Sequence, residues 1–201
     1  MLLSALASIG VNAQHQFTVN TKPGAPVQST MYGIFFEDIN FGADGGLYSE
    51  MVENRSFEFP DRLMGWNVFG KVAVNDVKPA FDRNPHYVTV SPSGHREKQS
   101  GLENHGFFGM GIKEGMKYDF SIYARLNLLQ GKSTKFRVEL VGEDDVPICQ
   151  DTIVVTNNKW QKYIATLSSD KTMEKAFMRI FLMSGESVDL DHISLMPQDN
   201  W

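Results

Sequence analysis

The stretch Tyr118-Asp119-Phe120-Ser121-Ile122-Tyr123-Ala124-Arg125 alternates apolar and polar side chains, and Lys135-Phe136-Arg137-Val138-Glu139-Leu140 repeats the pattern downstream. A period of two places alternate residues on opposite faces of an extended chain, so both segments read as antiparallel strands with one buried face. Further strand candidates run from Tyr87 to Val90, Phe107 to Ile112, Ile148 to Val155, Trp160 to Leu167, Phe177 to Met183 and Ser187 to Met196. Turn residues separate them, and helical periodicity does not return after Ser56. Roughly eight to ten short strands in about 140 residues predict an antiparallel β-sandwich, with a jelly roll as its form.

Working upstream, the character changes near Arg55 to Pro60. His15 to Asn20 reads as a short strand and Pro23, Gly24 and Pro26 as a loop. Met31-Tyr32-Gly33-Ile34-Phe35-Phe36 is an almost continuous apolar run ending at Glu37, as in a strand buried on both faces of a parallel sheet. After the loop at Asp44-Gly45-Gly46, the spacing of Leu47, Met51 and Val52 predicts a helix stopping near Asn54. Strand, loop and helix open a β/α unit. A (β/α)8 barrel takes about 250 residues, so in a 201-residue chain that already holds a sandwich it is truncated. The expected fold is therefore mainly β, a sandwich preceded by the first β/α element of a truncated barrel. Leu2 to Val11, followed by Asn12-Ala13-Gln14, reads as a signal-peptide remnant without its basic start, which predicts export. The division is 1–14 for that remnant, 15–55 for the barrel start and 56–197 for the sandwich. No other run approaches the roughly 18 apolar residues of a membrane span.

The net charge of −5, from 19 Lys and Arg against 24 Asp and Glu, comes without a dense basic run and argues against a nucleic-acid partner. The single cysteine, Cys149, excludes an internal disulfide and reads as a strand thiol, since no motif joins it to a base. The five histidines lack zinc-ligand spacing, and Gly106 to Gly111 lacks the strand-to-helix setting of a dinucleotide loop.

Glu37 is the first chemical candidate, because barrel enzymes place active-site groups at the C-terminal ends of their strands. Its surroundings carry a resemblance. Phe35-Phe36-Glu37-Asp38-Ile39-Asn40, Asp44-Gly45-Gly46-Leu47-Tyr48, Glu50 and Asn54-Arg55-Ser56-Phe57-Glu58 resemble the N-terminal signature of the family 51 α-L-arabinofuranosidases. His105 to Ile112, with Glu114-Gly115 and Tyr118, resembles the insert of that family's plant-type branch, itself similar to the jelly-roll carbohydrate-binding modules of families 4 and 9. Trp160 with Tyr163, and Val188 to Leu195, fit the same module.

The resemblance implies a retaining glycosidase whose acid/base and nucleophile, about 5 Å apart, are glutamates on later barrel strands. This chain would be inactive alone, with Glu37 holding the terminal arabinofuranose by its hydroxyls. It also implies arabinose-bearing polysaccharides or oligosaccharides and the rest of the parent enzyme as partners, with no required cofactor. Asp44, Asn54 and Arg55 read as structural: a turn, a helix C-cap, and a partner for Glu50 or Glu58. In the sandwich, sugar binding calls for aromatic rings that stack on sugar C–H groups. Trp66, Tyr87, Phe108 and Trp160 are the candidates, with Trp66 and Phe108 carried as binding aromatics although Trp66 and Trp160 also suit a core. A spacer or barrel-supporting role is the first reading of the sandwich, and ligand binding the second. By alternation Asp191 shares a face with Ile193 and Leu195, so its carboxylate needs a partner. Modules of the resembled type often carry a structural Ca2+, which Glu58 and Asp191 would ligate. Two carboxylates supply little of the six to eight oxygens calcium takes, and hydrogen bonds to backbone amides are the alternative.

Overall fold

A computed structural model describes residues 46–199, apart from 95–98 and 128–132, together with scattered earlier positions. The chain divides into two compact units, Met1–Phe36 and Glu37–Trp201, and the described part of the second is a two-layer β-sandwich. Its strands are β1 (Trp66–Phe69), β2 (Lys71–Asn75), β3 (Tyr87–Ser91), β4 (Gly101–Asn104), β5 (Met110–Ile112), β6 (Lys117–Leu126), β7 (Thr134–Val141), β8 (Pro147–Val155), β9 (Gln161–Ser168), β10 (Met173–Ser184) and β11 (Val188–Pro197). One sheet runs β1-β4-β10-β7-β8 with β5 also on β10; the other runs β2-β3-β11-β6-β9. All pairings are antiparallel.

The core follows the alternation. Tyr118, Phe120, Ile122, Ala124 and Leu126 of β6 are buried, as are Phe136, Val138 and Leu140 of β7. Burying a large apolar side chain stabilises by about 1.5–3 kcal/mol, whereas an exposed ion pair contributes about 0–1 kcal/mol. These stripes therefore decide which way each sheet faces. The strands that sequence reading did not single out, β1, β2 and β4, are four or five residues long. The Phe107–Ile112 candidate shortens to Met110–Ile112, because Gly106 (φ 65°) and Gly109 (φ 97°) turn the chain first.

The helix expected through Leu47, Met51 and Val52 does not form. Met51 N–H donates to Leu195 O (3.0 Å) and Ile193 N–H to Arg55 O (2.9 Å), so the segment is tied to β11 and turns at residues 53–56. No helical face was available to bury: Val52 is buried while Leu47 and Tyr48 are 72% and 62% exposed. Asn54 is no helix cap but the centre of a turn, at φ 51°. Its side chain donates to Arg62 O and Met64 O and accepts from Phe59 N–H. The signal-peptide remnant, the Met31–Phe36 strand and Glu37 lie outside the described residues.

Candidate functional site

Register across the six-stranded sheet assembles two rows on its outer face. Asn67, Glu103, Arg179, Glu139 and Gln150 stand side by side on β1, β4, β10, β7 and β8. Beside them run Phe69, Gly101, Phe181, Arg137 and Thr152 on the same strands. Glycine is required in the second row, because a Cβ on Gly101 would fall 2.6 Å from Phe181 Cδ1. The missing side chain lets Phe181 meet Phe69 at 5.7 Å between ring centroids. The result is an aromatic strip, half-buried, next to a polar strip.

The polar strip is held in place from below. Glu103 accepts from Asn67 Nδ2 (3.1 Å), lies 2.7 Å from His105 Nε2, and takes Arg179 Nε on its other oxygen. Burial pushes the Glu103 carboxyl up, but the bonds from Arg179, His105 and Asn67 outweigh it and hold its pKa below the usual range. Arg179 also reaches Asp145, and its guanidinium lies over Phe177 at 4.7 Å. Arg137 Nε lies 2.8 Å from Glu139 Oε2 as an ion pair without hydrogen-bond alignment, and its guanidinium lies over Phe181 at 5.9 Å. Buried carboxylates thus neutralise two planar guanidinium groups on this face, and Arg179 is held by both Glu103 and Asp145.

The sequence-predicted residues have different fates. Trp66 is in the core, 5.4 Å from Phe57, with its indole N–H donating to Asn54 O; it offers no ring to a ligand. Tyr87 is buried with its hydroxyl on Val77 O, and Trp160 donates to Lys78 O while Arg125 covers its ring at 4.5 Å. Both fasten the loop after β2. Phe108 is 85% exposed and lines a groove of about 560 Å³ with Tyr48, Met116 and Pro197. Cys149 has its thiol pushed up to about 11 by burial, so it stays protonated.

Asp191 and Glu58 come near each other without forming a cation site. A one-residue bulge in β11 breaks the alternation: Asp191 pairs with Tyr123 and Ser194 with Ser121, leaving two residues opposite one. Asp191 therefore lies on the outward side with Asp189, not beside Ile193 and Leu195 as simple alternation expects. It is nevertheless fully buried; Oδ1 accepts from His192 N–H (2.7 Å) and Oδ2 has no partner. Desolvation raises its pKa against the opposing pull of His192, and the charge of Glu58 adds a smaller upward push. Glu58 is committed to His86, through the backbone N–H at 2.8 Å and Nδ1 at 2.7 Å. Among the described residues no three His, Cys, Asp or Glu side chains are placed to share an ion. One orphan oxygen and one engaged carboxylate do not fit a Ca2+ site.

Glu103, Arg137, Arg179, Phe69 and Phe181 escaped sequence reading. Arg137 with Glu139, and Arg179 with Phe181, are visible as outward positions two apart, but only strand register joins them into rows.

The fold is an antiparallel jelly-roll β-sandwich. The sequence profile described as carbohydrate binding domain matches residues 49–187, and the chain belongs to that family. It is 34% identical over 187 residues to an extracellular exo-α-L-arabinofuranosidase of Streptomyces chartreusis, covering 89% of this chain and 21% of that protein. Against α-L-arabinofuranosidase 1 of Arabidopsis thaliana it is 30% identical over 199 residues, covering 88% of this chain and 28% of that protein. The chain thus spans less than a third of these relatives' length. The arabinose-bound structure of the MgGH51 α-L-arabinofuranosidase superposes with a TM-score of 0.72 at 24% identity, over 83% of this chain and 29% of that one; the likeness concerns the fold.

Proposed function

We propose that this chain is the sugar-binding, non-catalytic part of an exported α-L-arabinofuranosidase, and that a saccharide lies across the outer face of the six-stranded sheet. The observation that carries this is the Phe69–Phe181 strip beside the guanidinium groups of Arg137 and Arg179. Ring faces suit sugar C–H groups, and fixed planar donors suit vicinal hydroxyls. Similarity to arabinofuranosidases supports the parent's identity, and arabinose-bearing polysaccharide is the ligand class it suggests. In the parent, hydrolysis proceeds with retention at two glutamates outside this chain, and Glu37 holds the terminal arabinofuranose. Export draws on the extracellular relative; among the described residues no helix is long and apolar enough to cross a membrane.

Titration calorimetry with arabino- and xylo-oligosaccharides tests the reading. Saturable binding should weaken about tenfold or more, at least 1.4 kcal/mol, in Phe181→Ala and in Arg137→Ala. No heat from wild type with any of these sugars would overturn it. Arabinose release from a nitrophenyl arabinofuranoside by this chain would overturn its non-catalytic part.

A spacer role has its own support. Tyr48 and Phe108 are exposed around one groove, an apolar patch that a neighbouring domain of the parent would cover. Under this reading Phe108→Ser leaves saccharide binding unchanged.

A further inference from the structure

The opposite face of the sandwich holds a second groove, of about 790 Å³, within the roughly 300–1,000 Å³ of small-molecule sites. Its floor is the outer face of the five-stranded sheet. Register places Ser194 beside Ser121, Ser121 beside Ile164, and Tyr123 beside Lys162. Ile164, on the edge strand β9, is 76% exposed, with the Tyr123 ring and half-buried Met196 close by in the lining.

The walls are pre-arranged. Asp119 is held by Gln198 at 2.7 Å, Arg55 by Glu50 at 3.3 Å, and the His192 ring by Asn84 and by Phe81 at 4.2 Å. Among the described residues, no hydrogen bond engages Asp119 Oδ2, the Lys162 ammonium, or the hydroxyls of Ser121, Tyr123 and Ser194. Donors and acceptors therefore stand ready around an apolar floor. The charges cancel, Arg55 and Lys162 against Asp119 and Glu50, so nothing selects an anion. Mixed hydroxyl-matching groups without net charge, over aliphatic and aromatic carbon, fit a neutral polyhydroxylated ring.

We infer that this groove is a second saccharide-binding site, taking a neutral oligosaccharide, separate from the site on the six-stranded sheet. Amide chemical shifts of the labelled 201-residue chain, titrated with xylohexaose and with a linear arabinohexaose, test it. Saturable shifts are expected at Ser121, Tyr123, Ile164 and Ser194. They should persist in Arg137→Ala, which belongs to the other face, and weaken about tenfold in Ile164→Asp. Lys162→Ala, at an exposed position, decides the matter if Ile164→Asp disturbs the fold. No saturable shift at these amides with sugar at about 10 mM would overturn the inference, as would shifts surviving undiminished in the folded variants. Because the two faces report on different amides, loss of one site is distinguishable from loss of the other.

Discussion

Glu103 and Asp191 are both buried acids, and their surroundings push them in opposite directions. Glu103 is met by an arginine, an asparagine and a histidine, and its pKa falls; Asp191 has an orphan oxygen and a carboxylate nearby, and its pKa rises. The signs differ accordingly. A depressed carboxyl contributes stability that is present above the unfolded pKa and lost as pH falls through the folded one. A raised carboxyl costs stability as pH rises through the window between its unfolded and folded values. Glu103→Gln should therefore lose about 1–3 kcal/mol at pH 7, with the gap to wild type closing below about pH 4; urea midpoints at the two pH values check this. Sequence reading reached Asp191 by parity but put it on the wrong face. It passed over Glu103 altogether, because nothing in Gly101-Leu102-Glu103-Asn104 signals the arginine that β10 brings from far along the chain.

At the scale of elements, β11 shows why parity failed. His192 adopts φ 45°, and the extra residue resets which side chains face inward. Leu190, Ile193 and Leu195 all remain buried, an arrangement that strict alternation forbids. His192→Val should destabilise by about 1–2 kcal/mol more than His192→Asn, since a β-branched residue resists positive φ and asparagine tolerates it; both variants lose the Phe81 stacking, so denaturant midpoints isolate the backbone effect. The stretch from Glu50 to Glu58 makes a related point. Asn54 and Arg55, read from sequence as structural, lie in a stretch that acts as a latch. Glu50 accepts from Val52 and Leu195 N–H groups, Asn54 ties three backbone groups, and Phe57 is buried against Trp66. In place of the expected helix, the segment turns at residues 53–56 and bonds to β11 through Met51 and Arg55.

For the whole molecule, the sandwich is closed by packing and side-chain hydrogen bonds, without a disulfide and without a fitting calcium set among the described residues. Its melting temperature should stay within about 1 °C in excess chelator, because the engaged Glu58 carboxylate and the single unpartnered oxygen of Asp191 give an ion too few ligands to bind and stabilise the fold; a clear fall with EDTA, reversed by calcium, would contradict this. The jelly-roll form and most strands were legible from the period-two pattern of residues such as Tyr118 to Arg125, since burial of one face acts locally on alternate side chains. The pairing order β1-β4-β10-β7-β8, and with it the Phe69–Phe181 strip, was a matter for tertiary structure alone. Apart from the consecutive pair β7 and β8, neighbours in that sheet are separated by long stretches of chain, and the contacts that choose among registers exist only once both sheets have closed on the core.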